Sequence, residues 1–290
     1  MKKKGVLGLG WAYSFLIIPI LLQLVFFYFP MLQGFFYSFT DWTGLTSNYN
    51  FTGFDNFKEI LTDEKLRSSI WFTVIFTVGL IVGEIVIGIF IARLLNGKLK
   101  ASGFFRTVYF FPAVLSTVTL GLIFKQFFNY GLTQVGETLN IAFLQENLIA
   151  NERTAVLGVL FVALWQGIAI PVVIFLSGLQ SIPKDVMEAA EIDGASSGQR
   201  FWNVEIPFLL PSISMVFILA LKNGLTAFDL VYSLTGGGPS GKTTSVGLLV
   251  YNYAFKSNKF GYANAIAVVL FLVIGLISVL QIRTSRKFEV

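Results

Sequence analysis

The sequence predicts an all-α membrane protein that crosses the bilayer six times, and three observations lead to this prediction. Of the 290 residues, 55% are hydrophobic and only 13% are charged, whereas about 25% are charged in a soluble domain. No charged residue occurs between Gly5 and Thr40, or between Thr154 and Pro183. Both stretches exceed the roughly 20 residues that a helix needs to cross a bilayer. A soluble enzyme, a disordered chain and a disulfide-stabilised secreted domain are therefore excluded.

Six apolar segments are long enough to be transmembrane helices. Their lengths are 27, 23, 18, 26, 23 and 21 residues, close to half of the chain. The links between them leave no room for a soluble domain, so residues 1–290 are predicted to form one transmembrane domain. In chain order, the segments are Trp11–Tyr37, Ile70–Ala92, Thr107–Phe124, Ala155–Gln180, Ile206–Phe228 and Tyr262–Ile282.

The basic residues predict the orientation of these segments. With the N-terminus in the cytoplasm, the inside segments hold twelve Lys and Arg residues and the outside loops hold eight. Basic residues near helix ends favour the cytoplasmic side, so both termini are predicted to be cytoplasmic, and residues 38–69 and 233–261 to be external loops. The twelve are Lys2, Lys3, Lys4, Arg93, Lys98, Lys100, Arg106, Lys184, Arg200, Arg283, Arg286 and Lys287.

The residue types present limit the possible chemistry. The chain has no cysteine and no histidine, which excludes disulfides, thiolate metal sites and the commonest metal ligand and neutral-pH base. The net charge of +5 is small and dispersed, unlike the basic patch of a nucleic-acid-binding protein. We therefore expect no metal site and no nucleic-acid partner.

Four prolines, at positions 19, 30, 112 and 171, fall inside three of the predicted helices. Each frees a backbone carbonyl group, which the bilayer tolerates only where a neighbouring helix or a water-filled cavity satisfies it. An ordinary kink explains any single proline. Together, the four favour a moving bundle that lines a cavity.

The predicted cytoplasmic loop at residues 181–207 has the pattern of two short helices. Pro183 suits the first turn of a helix, and Asp185 and Glu188 fall near the positive end of its dipole. Gly194 can end this helix in the left-handed conformation. A second helix, capped by a serine at position 196 or 197, should end before the proline at position 207.

The first of these helices is predicted to present a narrow apolar stripe between carboxylates. One interpretation is a helix that lies on lipid headgroups, but the five acidic residues of the loop would be repelled there. A protein socket with a basic rim suits the pattern better. The stripe consists of Val186, Met187, Ala189 and Ala190.

The same loop contains a spaced motif, namely Glu188-Ala189-Ala190, Gly194 after three further residues, and Val204-x-Ile206-Pro207 after nine more. This motif resembles the EAA loop of permeases from binding-protein-dependent ABC importers. The usual ending in that family is Ile-x-Leu-Pro, from which Val204 and Ile206 depart conservatively.

Two other motifs are similar to the carbohydrate-uptake branch of that family, of the maltose and multiple-sugar type. One is Phe228–Pro239, which reads FDLVYSLTGGGP and is followed by Thr243 and Thr244. The other is the opening, with Pro30, Ser38-Phe39-Thr40-Asp41-Trp42 and Gly53-Phe54-Asp55-Asn56-Phe57. Together the motifs extend from the first predicted helix to the sixth.

The resemblance implies a type I ABC importer permease in a bacterial cell membrane. This chain and a second, homologous permease would form the path, two cytosolic ATPases would bind the EAA loops, and an external binding protein would deliver the sugar. ATP would bind to the ATPases, so this chain would need no cofactor and carry no catalytic residue. The implied coupling residues are Val186, Met187, Glu188, Ala189, Ala190, Asp193 and Gly194.

A phosphate-loop pattern, G-x-x-x-x-G-K-[ST], also occurs at Gly236–Thr243. That motif needs a buried strand before it and a helix after it. A predicted transmembrane helix precedes it here, and the predicted topology places it outside, away from cytosolic ATP. We expect a tight external turn that a binding protein can approach, formed by Gly236, Gly237, Gly238 and Pro239.

Polar residues within the predicted helices could line the sugar path or bond one helix to another. Glu84 is costly in lipid and should face protein or water, either as a neutral carboxyl group between helices or in transport. Aromatic stacking and hydrogen bonds to hydroxyl groups typically hold sugars. The candidates for this path are Thr117, Trp165, Gln166, Asn223, Thr226 and Asp229.

Two functions of different classes remain at this point. The first is half of a pore that a partner ATPase drives. The alternative is an ion-coupled secondary transporter, in which Glu84, Lys222 and Asp229 would couple ions to substrate. The acidic loop would then have no role, and the sequence shows no inverted repeat. A membrane-embedded enzyme would lack histidine, cysteine and clustered carboxylates.

Overall fold

The computed structural model describes residues 6–97 and 102–285, and the regular secondary structure in this part of the chain is helical apart from one isolated bridge between Thr40 and Phe51. The predicted all-α class is therefore confirmed. The helices are α1 Val6–Gln23, α2 Phe29–Tyr37, α3 Asp55–Thr62, α4 Glu64–Asn96, α5 Ser102–Val114, α6 Thr117–Gln126, α7 Leu132–Leu139, α8 Ala142–Gln145, α9 Ala155–Gly167, α10 Ala169–Gln180, α11 Lys184–Ile192, α12 Ser197–Arg200, α13 Ile206–Leu225, α14 Asp229–Leu234, α15 Val246–Tyr251 and α16 Phe260–Ser285.

Four helical runs among the described residues are long and apolar enough to cross a membrane, and two bent helix pairs raise the number to as many as six. All six predicted segments overlap these runs. The continuous runs are Phe15–Tyr37, Glu64–Asn96, Ser197–Leu225 and Phe260–Arg283, and the bent pairs are Thr107–Val114 with Thr117–Leu139 and Ala155–Gly167 with Ala169–Gln180.

The third segment, predicted as one helix over Thr107–Phe124, is instead broken by a bend of 103°. The break falls at Leu115 and Ser116, where Ser116 is extended, with ψ 128°. A break in an apolar segment frees backbone groups, which must find partners. The Leu115 carbonyl group accepts a hydrogen bond from Gln166 Nε2 at 3.0 Å. Such a tertiary partner is invisible in the apolar pattern of the segment.

A proline accompanies the bend of 51° between α9 and α10. Pro171 lies in the first turn of α10 and cannot donate a hydrogen bond to the carbonyl group of Gly167, four residues earlier. The fourth predicted segment is therefore a helix with a kink, as one interpretation of its proline anticipated.

The second short helix of the 181–207 loop does not end before Pro207, contrary to the prediction. It continues through a π-helical turn at Phe201–Glu205 into α13. A second π-helical turn occurs at Leu24–Tyr28, just before Pro30. A widened turn accommodates the pyrrolidine ring, which would meet a carbonyl oxygen in a regular α-helix. The rule that helices end before proline therefore fails at both places.

Contacts divide the described chain into two units. The first unit combines the chain up to Asp63 with Val250–Val269. In it, Asn56 Nδ2 donates to the carbonyl oxygens of Ser38 and Thr40 at 2.9 and 2.8 Å, which brings the two opening motifs of the sequence together. The Asp63 carboxylate accepts hydrogen bonds from the hydroxyl groups of Tyr253 and Tyr262, at 2.6 and 2.8 Å.

The second unit combines Glu64–Leu249 with the chain from Leu270 onward. Its core lies where α4, α10 and α13 pack together, around side chains with no exposed surface. Two glycines of α4 permit the close approach of α9, since a Cβ atom at Gly79 or Gly83 would lie within 2.7 Å of a leucine side chain of α9. The central core residues are Ala92, Val172, Phe175, Leu209 and Val216.

The predicted orientation rests partly on residues that lie outside the described ranges. These are Lys2, Lys3, Lys4, Lys98, Lys100, Arg286 and Lys287. The cytoplasmic placement of both termini therefore stays a prediction.

Candidate functional site

A cavity of about 370 Å³ lies within the second unit, among α4, α6, α9 and the break between α13 and α14. Its volume is in the range of small-molecule binding sites. The sequence analysis selected six candidate path residues, and five of them line this cavity: Thr117, Gln166, Asn223, Thr226 and Asp229.

The sixth candidate, Trp165, is not among the lining residues. Its ring packs edge-on against Phe124, with 5.3 Å between ring centroids. The aromatic rings that do line the cavity belong to Phe76 and Phe228, which the sequence analysis did not select. Phe76 could have been found from helical spacing, because it lies on one face of α4 with Leu80 and Glu84, four residues apart.

Glu84 contributes a carboxyl group to the wall of the cavity. The residue is only 3% exposed, and none of the hydrogen bonds or ion pairs described for the chain involves it. Its oxygen Oε1 packs against Gly167, where an added Cβ atom would lie 2.9 Å away. A buried carboxyl group beside an open volume is suited to accept hydrogen bonds from a ligand or from water. Glu84 therefore belongs to the candidate site.

The two side-chain amides of the site differ in what they bond. Gln166 Nε2 donates to the Leu115 carbonyl oxygen at 3.0 Å and to Thr117 Oγ1 at 3.1 Å, so this amide joins α9 to the break before α6. Asn223 makes none of the side-chain hydrogen bonds described. Interhelical bonding thus accounts for Gln166, as its alternative interpretation anticipated, whereas the Asn223 amide is available to a ligand.

An irregular segment of backbone forms one wall of the cavity. The predicted fifth helix extends to Phe228, but α13 ends at Leu225 and α14 begins at Asp229. Ser245 Oγ donates to the freed Ala227 carbonyl oxygen at 2.5 Å. Irregular backbone at membrane depth is tolerated where it is buried in protein or lines a water-filled cavity. Lys222, part of the ion-coupled alternative, is not among the lining residues.

A second candidate surface lies at the 181–207 loop, where α11 ends at a left-handed glycine. Gly194 has φ +76°, and the following Ala195 N–H donates to the Ala190 carbonyl oxygen at 2.9 Å. Ser196 then caps α12, because its hydroxyl group accepts from Gln199 N and Gln199 Oε1 accepts from Ser196 N. The predicted glycine end is confirmed, and of the two serines considered, Ser196 is the cap.

The side chains of α11 divide between the bundle and the surface. Met187 packs against the core of the second unit, so it anchors α11 and is not part of an outward stripe. Val186, Glu188 and Ala189 are exposed, and Ala190 is half-buried. Asp193 and Gly194 are also exposed. The outward surface is therefore smaller and more acidic than the predicted stripe.

An arginine of α4, absent from the predicted coupling set, holds this loop. Arg93 Nε lies 3.0 Å from Glu205 Oε2, and Arg93 Nη2 donates to Glu205 Oε1 at 3.4 Å and to Ser197 Oγ at 3.1 Å. The guanidinium group also lies over the Phe201 ring, 4.8 Å from its centroid. The two ions are 112 residues apart in sequence, so no local pattern could have paired them.

The glycine-rich segment Gly236–Thr243 lies toward the other end of α4. Soon after it, Val246 N donates to Thr73 Oγ1 at 3.0 Å. Thr73 and Arg93 are 20 residues apart on this helix, which corresponds to about 30 Å, the thickness of a hydrocarbon core. The two loops are therefore attached to opposite ends of one long helix.

The hydroxyl group that a phosphate loop would direct at a metal ion is occupied here. Thr243 has no exposed surface, and its hydroxyl group bonds to Thr235 Oγ1 at 2.8 Å and to the Gly238 carbonyl oxygen at 2.5 Å. A short helix, α14, precedes the segment in place of a strand. This geometry lacks the context that a phosphate loop needs.

Comparison with known proteins assigns the chain to a family. The model of a family described as "Binding-protein-dependent transport system inner membrane component" matches residues 84–287, more than half of the chain. The chain belongs to this family. The match includes the cavity residues from Glu84 onward and the whole of the 181–207 loop.

Relatives agree with this assignment, and a solved structure shares the fold. The permease is 61% identical to the multiple sugar-binding transport system permease protein MsmF of Streptococcus mutans, with 100% of both chains covered. It is 34% identical to the probable starch degradation products transport system permease protein AmyD of Thermoanaerobacterium thermosulfurigenes, with 100% and 99% covered. A crystal structure of a bacterial ABC transporter that imports the acidic polysaccharide alginate matches with a TM-score of 0.81 at 18% identity, over 96% of each chain.

These findings confirm the predicted family and fold. The permease is a bacterial inner-membrane component of an ABC transporter and acts in transport, not as an enzyme. Nothing in the comparisons supports the ion-coupled alternative. The individual coupling and path residues stay predictions, to which the structure adds positions and contacts.

Proposed function

We propose that this permease forms half of the path along which an ATP-driven importer moves a mono- or oligosaccharide. The observation that carries the proposal is the arrangement of two candidate surfaces around α4: a polar cavity beside the middle of the helix, and the exposed α11 loop held at one end. The names of the relatives MsmF and AmyD, which refer to multiple sugars and to starch degradation products, support a sugar as the substrate.

The lining of the cavity suits a neutral, hydroxyl-rich ligand. Thr117, Asn223, Asp229 and Glu84 supply hydrogen-bonding groups, while Phe76 and Phe228 supply aromatic faces. Within the part of the chain that the structure describes, no lysine or arginine lines the cavity, whereas two carboxyl groups do. An anionic saccharide would be repelled by the exposed carboxylate of Asp229, and a neutral saccharide would find acceptors for its hydroxyl groups.

The permease acts in this proposal with four other proteins. A second, homologous permease completes the path, and two cytosolic ATPases bind the nucleotide, so this chain needs no cofactor. An external binding protein delivers the sugar at the end of α4 that carries the Gly236–Pro239 segment. The exposed residues of α11 then face the ATPase in the cytoplasm, where both termini also lie.

Affinity purification followed by reconstitution tests this function. The tagged permease should co-purify with an ATPase and a second permease, and the complex in proteoliposomes should take up labelled sugar only with internal ATP and external sugar-loaded binding protein. Labelled maltotriose is the first probe, and a uronate trisaccharide is the matched anionic one. Uptake by the permease alone, indifferent to ATP, would contradict the proposal.

A further inference from the structure

The loop at 181–207 has two kinds of connection to the transmembrane bundle. Its covalent connections pass into α10 and α13. The connection to α13 crosses the π-helical turn Phe201–Glu205 and contains Pro211 further along the helix. The connection to α10 leads to the 51° bend next to Gly167. Widened turns, prolines and bends are where helices yield, so neither covalent connection is a straight rod.

The loop is also connected without covalent bonds, by the apolar packing of Met187, Phe201 and Val204 on the core and by a charged contact with α4. Helix α4 differs from the two covalent connections. This helix extends unbroken for 33 residues and contains no proline. Arg93 lies in its last turn, and Glu84 of the cavity lies nine residues before it, about 13 Å along the helix axis. A displacement applied at Arg93 can therefore reach the cavity wall along an unbroken helix.

The contact at Arg93 is built on three residues at four-residue spacing. Ser197, Phe201 and Glu205 share one face of the helical run that follows Gly194, and one guanidinium group contacts all three. The Glu205 side chain is only 10% exposed, so its charge needs a partner that remains with it. The loop and α4 should therefore move together for as long as this ion pair is intact.

The ion pair is not ideally aligned. Arg93 Nε lies 3.0 Å from Glu205 Oε2, yet this buried oxygen accepts no well-directed hydrogen bond from the described residues. The one directed bond, from Nη2 to Oε1, is long at 3.4 Å. Arginine and carboxylate groups form two parallel hydrogen bonds when their planes align. The pair is thus held by charge attraction and one long hydrogen bond, without the two parallel hydrogen bonds of an aligned pair.

We propose that Arg93 and Glu205 form the joint that transmits motion of the 181–207 loop to α4 and so to the cavity. Arg93 is a positioning residue in this proposal, which rests on the proposed function of the loop as the ATPase contact. The opposite-charge pair carries most of the transmission, so an exchange of the two charges should preserve most of it although the contacts of Arg93 with Ser197 and Phe201 are lost.

Charge reversal and exchange test the joint in the reconstituted complex. Arg93→Glu and Glu205→Arg should each lower uptake per ATP hydrolysed at least tenfold, because each places two like charges together in a confined site. ATPase co-purification and hydrolysis without sugar should stay within twofold of wild type. The double variant Arg93→Glu with Glu205→Arg should recover at least a third of the uptake per ATP. The exposed pair Glu59–Lys259, exchanged in the same way, is the control and should change nothing.

The remaining outcomes separate the joint from a merely structural pair. Wild-type uptake per ATP in both reversals would overturn the proposal. If the reversals fail to assemble, the double variant decides: assembly restored together with uptake supports a joint, and assembly restored without uptake overturns it. Failure of the wild-type permease to recruit an ATPase would instead overturn the proposed function.

Discussion

The two ends of α4 are held in different ways. At the Arg93 end, an ion pair and a cation–π contact join the helix to a loop that is mostly exposed. At the Thr73 end, neutral hydrogen bonds are fully buried, and Gly224 packs so closely on Thr77 that a Cβ atom would lie 2.5 Å from its hydroxyl oxygen. Both ends pack into the interior, since Ala92 beside Arg93 is a core residue, but only the Arg93 end also has a charged contact with a loop.

This difference indicates which end can move. Buried neutral bonds and glycine contacts fix a single arrangement, since any displacement leaves polar groups unsatisfied or opens a void. The Arg93–Glu205 ion pair has only one long hydrogen bond, so it should tolerate small rotations of its two groups. The Arg93 side chain is also partly exposed, which leaves room for a partner protein beside it. Variants at the Arg93 end should therefore affect coupling more than stability. Variants at the Thr73 end should affect stability more than coupling.

The largest effect is expected at the turn after α11. Gly194 has φ +76° with no atom within 4 Å of an added Cβ, so backbone strain and not crowding opposes substitution. Gly194→Val should abolish sugar-stimulated hydrolysis, because a β-branched residue resists this conformation and would redirect α12. Gly194→Asn should retain most of the stimulation, because asparagine tolerates it. Wild-type stimulation in both variants would show that the turn does not matter for coupling.

A charge reversal on the exposed surface of α11 should have a comparable effect for another reason. Glu188 is exposed, and among the described residues it forms no ion pair, so its partner is expected on the ATPase. Glu188→Lys should reduce ATPase co-purification severely, since a lost pair in a partly dry interface costs about 2–5 kcal/mol. Membrane insertion is the control. Normal recruitment of the ATPase by this variant would remove Glu188 from the interface.

The two amides of the cavity should respond differently to truncation. Asn223→Ala should raise the KM for sugar uptake several-fold and leave thermal stability unchanged, because a net hydrogen bond contributes about 0.5–1.5 kcal/mol. Gln166→Ala should in addition lower the melting temperature, because Nε2 supports the break before α6. Uptake kinetics and thermal unfolding of the purified complex measure both effects. Unchanged KM in Asn223→Ala would place this side chain outside the path.

The Thr73 end should show a loss of stability with little loss of coupling. Thr73→Val removes the acceptor of the buried Val246 N–H, and an unsatisfied buried donor costs about 1–3 kcal/mol. Thr73→Ser keeps the hydroxyl group and is the matched control. We expect thermal unfolding to be easier in the first variant only, with uptake per ATP unchanged in both. A coupling defect in Thr73→Val would mean that both ends of α4 take part in transmission.

The sequence predicted elements whose signal is local and missed those that depend on tertiary partners. The second and sixth segments are uninterrupted and apolar, and α4 and α16 contain them completely. Polar residues within or next to apolar segments indicated the six polar residues of the cavity lining but not its seven other residues, because a polar group in an apolar segment needs a reason that packing alone does not give. The turn at Gly194 followed from glycine and serine chemistry. These features need only neighbours along the chain.

The break at Leu115 and the Arg93–Glu205 pair depend on residues from another helix. The freed carbonyl group at Leu115 is tolerable only because Gln166, 51 residues later, bonds it. Trp165 and Gln166 were selected together, but adjacent helical residues point in directions about 100° apart, and only Gln166 reaches the cavity. The direction of each side chain thus decided which of the two residues lines the cavity.

The smallest effect is expected at Lys242, which lies in the segment that matches the phosphate-loop pattern. Its side chain is exposed, and the neighbouring Thr243 hydroxyl group is bonded within the loop. Lys242→Ala should therefore leave nucleotide binding and hydrolysis by the complex unchanged within experimental error, with uptake altered at most about twofold through the approach of the binding protein. Nucleotide affinity of the purified complex and its hydrolysis rate measure the first point. Loss of nucleotide binding with assembly intact would place a nucleotide site in this chain. The Thr73 end of α4 would then face the cytoplasm and the Arg93 end the outside, the reverse of the proposed orientation.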